Sequence, residues 1–118
     1  MNPYDNAHEL ARTIRNSDAA QRVKAAKDRI EQDPSTLKML NDYRHREWEL
    51  ETKLIDGQEL TSEEEDSMRK LGDIVRMNKD VTDYLEAERQ LTVMIIDIQD
   101  ILSKALEDLL LEHPGQSD

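Results

Sequence analysis

The chain has 118 residues, of which 36% are hydrophobic and 36% are charged, and its net charge is −11. This size fits one domain, while the negative charge disfavours direct binding to nucleic acid or to anionic membranes. The absence of cysteine excludes disulfides and thiolate-bound clusters, and three glycines and three prolines are too few for a chain rich in β-turns.

The first two predicted helices begin at side chains that can cap free backbone N–H groups. Asn2 precedes Pro3 and starts a helix that ends near Asn16. Its apolar residues repeat at helical spacing: Tyr4, Ala7, Leu10, Ala11 and Ile14. Ser17 starts the second helix, whose narrow apolar face would let a neighbouring helix approach closely; it consists of Ala20, Val23, Ala26 and Ile30.

Two breaks divide the middle of the chain into a third and a fourth helix. Asp33-Pro34 ends the second helix and begins the third, which is predicted to run to about Ile55. A turn at Gly57 follows, and the fourth helix then starts at Thr61, with Glu64 at the spacing of a capping box. The next helix is capped by either Asn78 or Asp80.

The last predicted helix is the longest, running from about Val81 to Glu112, or about 48 Å. Residues 1–113 are therefore predicted to form a single helical domain, and residues 114–118 a frayed tail. The fold class is all-α: about five helices in an antiparallel bundle with a long C-terminal helix.

The C-terminal helix has an apolar face about five turns long. At 100° per residue, its large apolar side chains fall within an arc of roughly 140°: Leu91, Met94, Ile95, Ile98, Ile101, Leu102, Leu106 and Leu109. We expect one flank to pack on its own chain and the other on a second chain, which makes these residues candidate interface residues. Alternatively, the third and fourth helices cover the whole face within the monomer.

No pattern of reactive residues has the spacing that catalysis or metal binding requires. Aligning Gly57 with the glycine of a calcium-binding loop would place Leu54 at a ligand position. Asp5 with His8 and Asp42 with His45 share helical faces, but no Glu-x-x-His motif occurs. We therefore expect no enzyme activity, no cofactor and no metal site.

Trp48 and Glu47 are the two residues of the third helix that do not fit its amphipathic pattern. Trp48 lies off the apolar stripe of its helix, and either it fills a gap against the first helix with Arg44 across its ring, or it anchors a partner. Glu47 lies within that stripe and is the one candidate for a ligand or catalytic site between helices.

The chain lacks the marks of an exported or membrane protein. No basic region followed by an apolar run begins the sequence, and no apolar run approaches the roughly 20 residues that span a bilayer. We therefore expect a cytoplasmic protein.

The order of these signals resembles a family of small bacterial helical proteins, the YlbF/YmcA/YheA-like family, and within it the YheA-like branch. The resemblance covers roughly residues 4–110 and rests on Asp33-Pro34 with Leu40 and Tyr43, a glycine turn, an acidic helix start, and the run Tyr84-Leu85-Glu86-Ala87-Glu88 before a long apolar helix.

The resemblance implies an all-α fold, self-association through long helices, and regulation rather than catalysis. Some members act in complexes that modulate RNA processing by a membrane-bound endoribonuclease, with effects on competence, sporulation and biofilm formation. Family complexes can include iron–sulfur clusters, which this chain cannot ligate through cysteine. We therefore expect a non-enzymatic interaction protein, a homo-oligomer and most simply a dimer, with a further protein partner; an enzyme or ligand carrier is the alternative.

Overall fold

The computed structural model describes residues 1–111, which form five helices and no strand, and the predicted all-α class is confirmed. The helices are α1 (Pro3–Arg15), α2 (Asp18–Glu31), α3 (Pro34–Ile55), α4 (Ser62–Met77) and α5 (Lys79–Leu106). The frayed tail predicted for 114–118 and the helix end predicted at Glu112 lie outside the described residues.

All five helices begin at a side chain that accepts a hydrogen bond from a free backbone N–H, and the first four of these caps were predicted. These caps are Asn2, Ser17, Asp33, Thr61 and Asn78. The capping box is complete, because the Glu64 N–H donates to Thr61 Oγ1 at 3.1 Å and the Thr61 N–H donates to Glu64 Oε1 at 2.9 Å. Asn78 rather than Asp80 caps α5, since Asn78 Oδ1 accepts from the Val81 N–H at 3.0 Å.

The long helix ends earlier than predicted, at Leu106 instead of near Glu112. Two acidic residues, Glu107 and Asp108, follow it at the end where the helix dipole disfavours negative charge. Beyond them, Leu110 is 71% exposed and Leu111 is 90% exposed, so no packing stabilises a further helical turn.

Two antiparallel helix pairs make up the fold. The α2 helix runs antiparallel to the first half of α5, because Arg29 lies 3.5 Å from Asp80 while Arg22 donates to Gln90 at 3.2 Å. The α3 and α4 helices form a hairpin around Gly57, closed by Lys53 on Glu64 at 2.5 Å (Nζ to Oε1).

The core lies where the ends of four helices meet. Its buried residues are Ile30 of α2, Leu40 of α3, Val75 of α4 and Val81 of α5. The half-buried residues around it are Leu37, Met39, Tyr43, Tyr84 and Leu85. Since Val81 is in the first turn of α5, the core contacts the beginning of the long helix and does not reach its far half.

Candidate protein–protein interface

Residues 91–111, which we call the distal segment, project away from this core. Its apolar arc, here named the distal face, comprises the eight residues singled out in the sequence: Leu91, Met94, Ile95, Ile98, Ile101, Leu102, Leu106 and Leu109. Leu91, Met94 and Ile98 are half-buried, whereas the other five are exposed. Exposure reaches 66% at Ile101 and 72% at Leu109.

Within residues 1–111, no helix covers the whole distal face. The alternative that α3 and α4 cover it within the monomer is wrong for this part of the chain, since Leu102 and Leu106 remain 54% and 48% exposed. Val93 and Ile96, which lie outside the arc on another side of α5, are also exposed.

A second uncovered apolar surface lies on α1, and the sequence did not mark it as an interface. The α1 face consists of Tyr4, Ala7, Leu10, Ala11 and Ile14. No residue of α1 is buried, and Tyr4 is 79% exposed. The backbone of α1 comes close to α2 alone among the described helices. The sequence signal for this surface was the strong amphipathic spacing of α1, whose apolar face combines three large side chains with two alanines.

Hydrogen bonds on both sides of the α1–α2 junction fix the direction of α1. The Ser17 N–H donates to the Ile14 carbonyl at 3.1 Å, and Gln21 Nε2 donates to the Arg15 carbonyl at 2.9 Å. Ser17 Oγ also accepts from the Ala20 N–H at 3.2 Å. These bonds hold α1 so that it does not contact α5 of its own chain.

Trp48 lies on the surface of α3 and is 62% exposed. Its ring stacks on His45, with centroids 6.4 Å apart. The interpretation that it fills a gap against α1 under Arg44 is wrong, because α1 does not approach α3 and Arg44 lies over the Tyr84 ring, 5.4 Å from its centroid.

Arg44 instead belongs to a polar cluster that joins α3 to α5. It pairs with Glu88, and the Tyr84 hydroxyl donates to Glu88 Oε2 at 3.0 Å. Burial raises the pKa of Glu88, but the hydrogen bonds from Arg44 and Tyr84 outweigh it, so the pKa lies below its ordinary value. Glu88 is therefore held charged, and it anchors the first half of α5.

The residues considered for catalysis or metal binding do not come together. Glu47 is half-buried. Burial raises the pKa of Tyr43, and the charge and hydrogen bond of the Glu47 carboxylate raise it further. Glu47 lines neither the cavity of about 300 Å³ between α2 and α5 nor the smaller one beside Ile30. Asp42 pairs with Lys38, and His45 with Glu49. Residues 1–111 contain no cluster of three or more side chains able to hold a metal ion.

Within residues 1–111, every helix is too short or too polar to cross a bilayer. The fold is thus that of a small all-α protein with a long C-terminal helix and two uncovered apolar helix faces. The family model described as "Control of competence regulator ComK, YlbF/YmcA" matches residues 4–107, and the chain belongs to this family. The resemblance noted in the sequence is confirmed.

Similar proteins come from several bacteria. A UPF0342 protein of Caldicellulosiruptor bescii is 39% identical over 106 residues, which cover 90% of this chain and 89% of the relative. A UPF0342 protein of Halothermothrix orenii is 39% identical over 110 residues, or 93% of each chain.

Solved structures share the fold. A DUF964 protein of Bacillus stearothermophilus matches with a TM-score of 0.75 and 24% identity over 97% of both chains. Bacillus subtilis yheA matches with a TM-score of 0.64 and 24% identity over 93% of this chain and all of that one. Bacillus subtilis RicA, solved in complex with RicF, matches with a TM-score of 0.62 and 19% identity over 89% and 93% of the two chains.

Proposed function

We propose that this protein is a non-enzymatic regulator that dimerises and binds a further protein partner. The observation that supports this most strongly is the exposure of the distal face, where Ile101, Leu102 and Leu106 are 48 to 66% exposed on one side of α5. Contiguous apolar surface is typical of interaction sites in soluble proteins. Covering it would gain about 25 cal/mol per Å² of apolar area.

The regulated process is inferred from the family. Its description names control of a competence regulator, and RicA, which has the same fold, forms a complex with RicF. We infer a role in the regulation of RNA processing or development. The charge of −11 favours action through a protein partner over direct contact with RNA.

Light scattering of two matched variants tests the self-association. Ile101→Asp places a charge on the distal face, while Ile96→Asp makes the same change at a residue that is 55% exposed on another side of α5. We expect wild type and Ile96→Asp to have twice the chain mass of 13.7 kDa and Ile101→Asp to be a folded monomer. A monomeric wild type at all concentrations would refute dimerisation, and an unchanged dimer mass for Ile101→Asp would show that the distal face does not mediate it.

Affinity enrichment tests the partner. We propose Trp48 as an anchor for it, because it is 62% exposed and tryptophan is a common centre of binding energy in interfaces. Trp48→Ala should lose a protein that wild type enriches from native cells, with the dimer mass and helical circular dichroism unchanged. Glu51→Ala, an exposed change on the same helix, is the control. Equal enrichment by Trp48→Ala and wild type would remove Trp48 from the proposal.

A further inference from the structure

The distal face and the α1 face are both uncovered on the same chain, and we propose that each covers the other in a dimer. In this arrangement, α1 of one protomer packs on the distal face of its partner, and the contact is repeated by the two-fold symmetry. The proposal rests on the self-association proposed above and specifies which segment occupies the distal face.

The two faces match in length. The α1 helix has 13 residues, or about 20 Å, and the helical part of the distal segment, from Leu91 to Leu106, is about 24 Å long. The α1 face carries small residues at Ala7 and Ala11 between larger ones. Small side chains let the backbone of one helix approach the large aliphatic side chains of another closely.

The charges beside the faces also match. On a helical projection, His8 and Arg15 border one edge of the α1 face. Asp97 borders one edge of the distal face, with the paired Lys104 and Asp100 further round the helix, and the opposite edge carries the uncharged Gln99. The basic edge of the α1 face can therefore lie beside the Asp97 carboxylate when the two faces meet.

Pairing of two distal segments is disfavoured by charge. Residues 91–111 contain four acidic side chains and one lysine, Lys104, so each segment has a net charge of −3 and two such segments would repel each other. The α1 helix has two acidic and two basic side chains and is neutral apart from His8. The α1 helix is therefore the better electrostatic match.

The α1 helix of the same chain is not placed to cover the face. The bonds of Ser17 to Ile14 and of Gln21 to Arg15 hold α1 away from its own α5. A second copy supplies an apolar helix of the right length.

A substitution on α1 gives the first test. Leu10 is 37% exposed and lies on a helix without buried residues, so Leu10→Asp leaves the monomer fold intact. We expect light scattering to show a shift from dimer to monomer with unchanged helical circular dichroism. Thr13→Asp, an exposed change outside the α1 face, should remain dimeric. An unchanged dimer for Leu10→Asp overturns the proposal.

Cross-linking gives the second test, and the lack of cysteine in the chain makes it clean. Ala7→Cys, carrying an affinity tag, is mixed with untagged Ile98→Cys, Leu102→Cys or Ala105→Cys, and each mixture is treated with a short bismaleimide. We expect adducts that join the tagged chain to the untagged chain.

The other outcomes separate the alternatives. Absence of mixed adducts at all three positions overturns the α1 contact, as do adducts that form only between two Leu102→Cys chains. Cross-linking within one chain of the double variant Ala7→Cys/Leu102→Cys would show that α1 folds back on its own α5. A monomeric wild type would refute the proposed self-association itself and is seen before any cross-linking.

Discussion

Arg44 and Glu88 form an ion pair across 44 positions of sequence that ties the middle of α3 to the first half of α5. The Tyr84 ring lies under the Arg44 guanidinium, and its hydroxyl donates to the same carboxylate. The pair therefore holds α3 against α5 near the point where the long helix leaves the core. Everything beyond it on α5, including the distal face, projects from this anchor.

Breaking this pair should destabilise the fold modestly. In a double-mutant cycle of Arg44→Met and Glu88→Gln, we expect a coupling energy of about 0.5 to 1 kcal/mol, because both side chains are partly exposed and water screens their attraction. Urea unfolding measures it. The exposed pair of Lys38 and Asp42 is the matched control and should couple by less than about 0.5 kcal/mol. A coupling no larger than that of the control would contradict the anchoring role.

Glu64 should titrate far below an ordinary glutamate. The hydrogen bond from Lys53, followed by that from the Thr61 N–H, lowers its pKa to about 2. Since this pKa is lowered on folding, the stabilisation from Glu64 is complete above the ordinary value of about 4.3. It is lost as the pH falls from there through about 2.

The measurement is a carboxyl-carbon NMR titration of Glu64. Lys53→Met should raise its pKa towards the ordinary value but not fully to it, because the bond from Thr61 remains. Lys38→Met should leave it unchanged, since Lys38 pairs with Asp42 on the first part of α3. A pKa for wild-type Glu64 near 4 would show that the Lys53 contact does not persist in solution.

Ile30 should be among the residues most sensitive to truncation. It is 2% exposed in the core where four helix ends meet. Ile30→Ala should cost about 2 to 5 kcal/mol in the free energy of unfolding, and Ile30→Val about 0.5 to 1.5 kcal/mol, because each removes buried methyl groups and leaves a cavity.

The matched control is Ile55→Ala. Ile55 is 83% exposed, so the same truncation should change the unfolding free energy by no more than about 0.5 kcal/mol. Urea unfolding of the three variants under conditions that fix the oligomeric state gives the comparison. Similar losses for Ile30→Ala and Ile55→Ala would place the core elsewhere.

Gly57 should be hard to replace, for a backbone reason only. Its φ is +83°, in the left-handed region that favours glycine, and a Cβ built there meets no atom within 4 Å. Gly57→Ala should therefore cost about 1 kcal/mol or slightly more, and Gly57→Asn less, since asparagine tolerates this region better. Thermal unfolding distinguishes them. If both variants are as stable as wild type, the turn has adopted another conformation.

Local structure followed from the sequence because its causes are local. Five caps, the proline at Pro34, the glycine turn at Gly57 and the 3.6-residue periodicity each act within a few residues, so helix starts were predicted to within one or two positions. Two features were not predicted. At the start of α5, Asn78 and Asp80 were both candidate caps, and at its end the helix stops at Leu106 because no tertiary packing stabilises a further turn.

The sequence by itself determined the helix class, the family and the existence of an apolar arc on α5, since these depend on residue order alone. Tertiary structure alone decided which half of that arc is covered. Leu91 is half-buried while Leu102 is 54% exposed, although both are leucines on one face of one helix. It also turned α1 away from α5 and placed Arg44 over Tyr84 instead of Trp48. Contacts between distant segments are set by how whole helices pack, and periodicity identifies an apolar face without specifying what covers it.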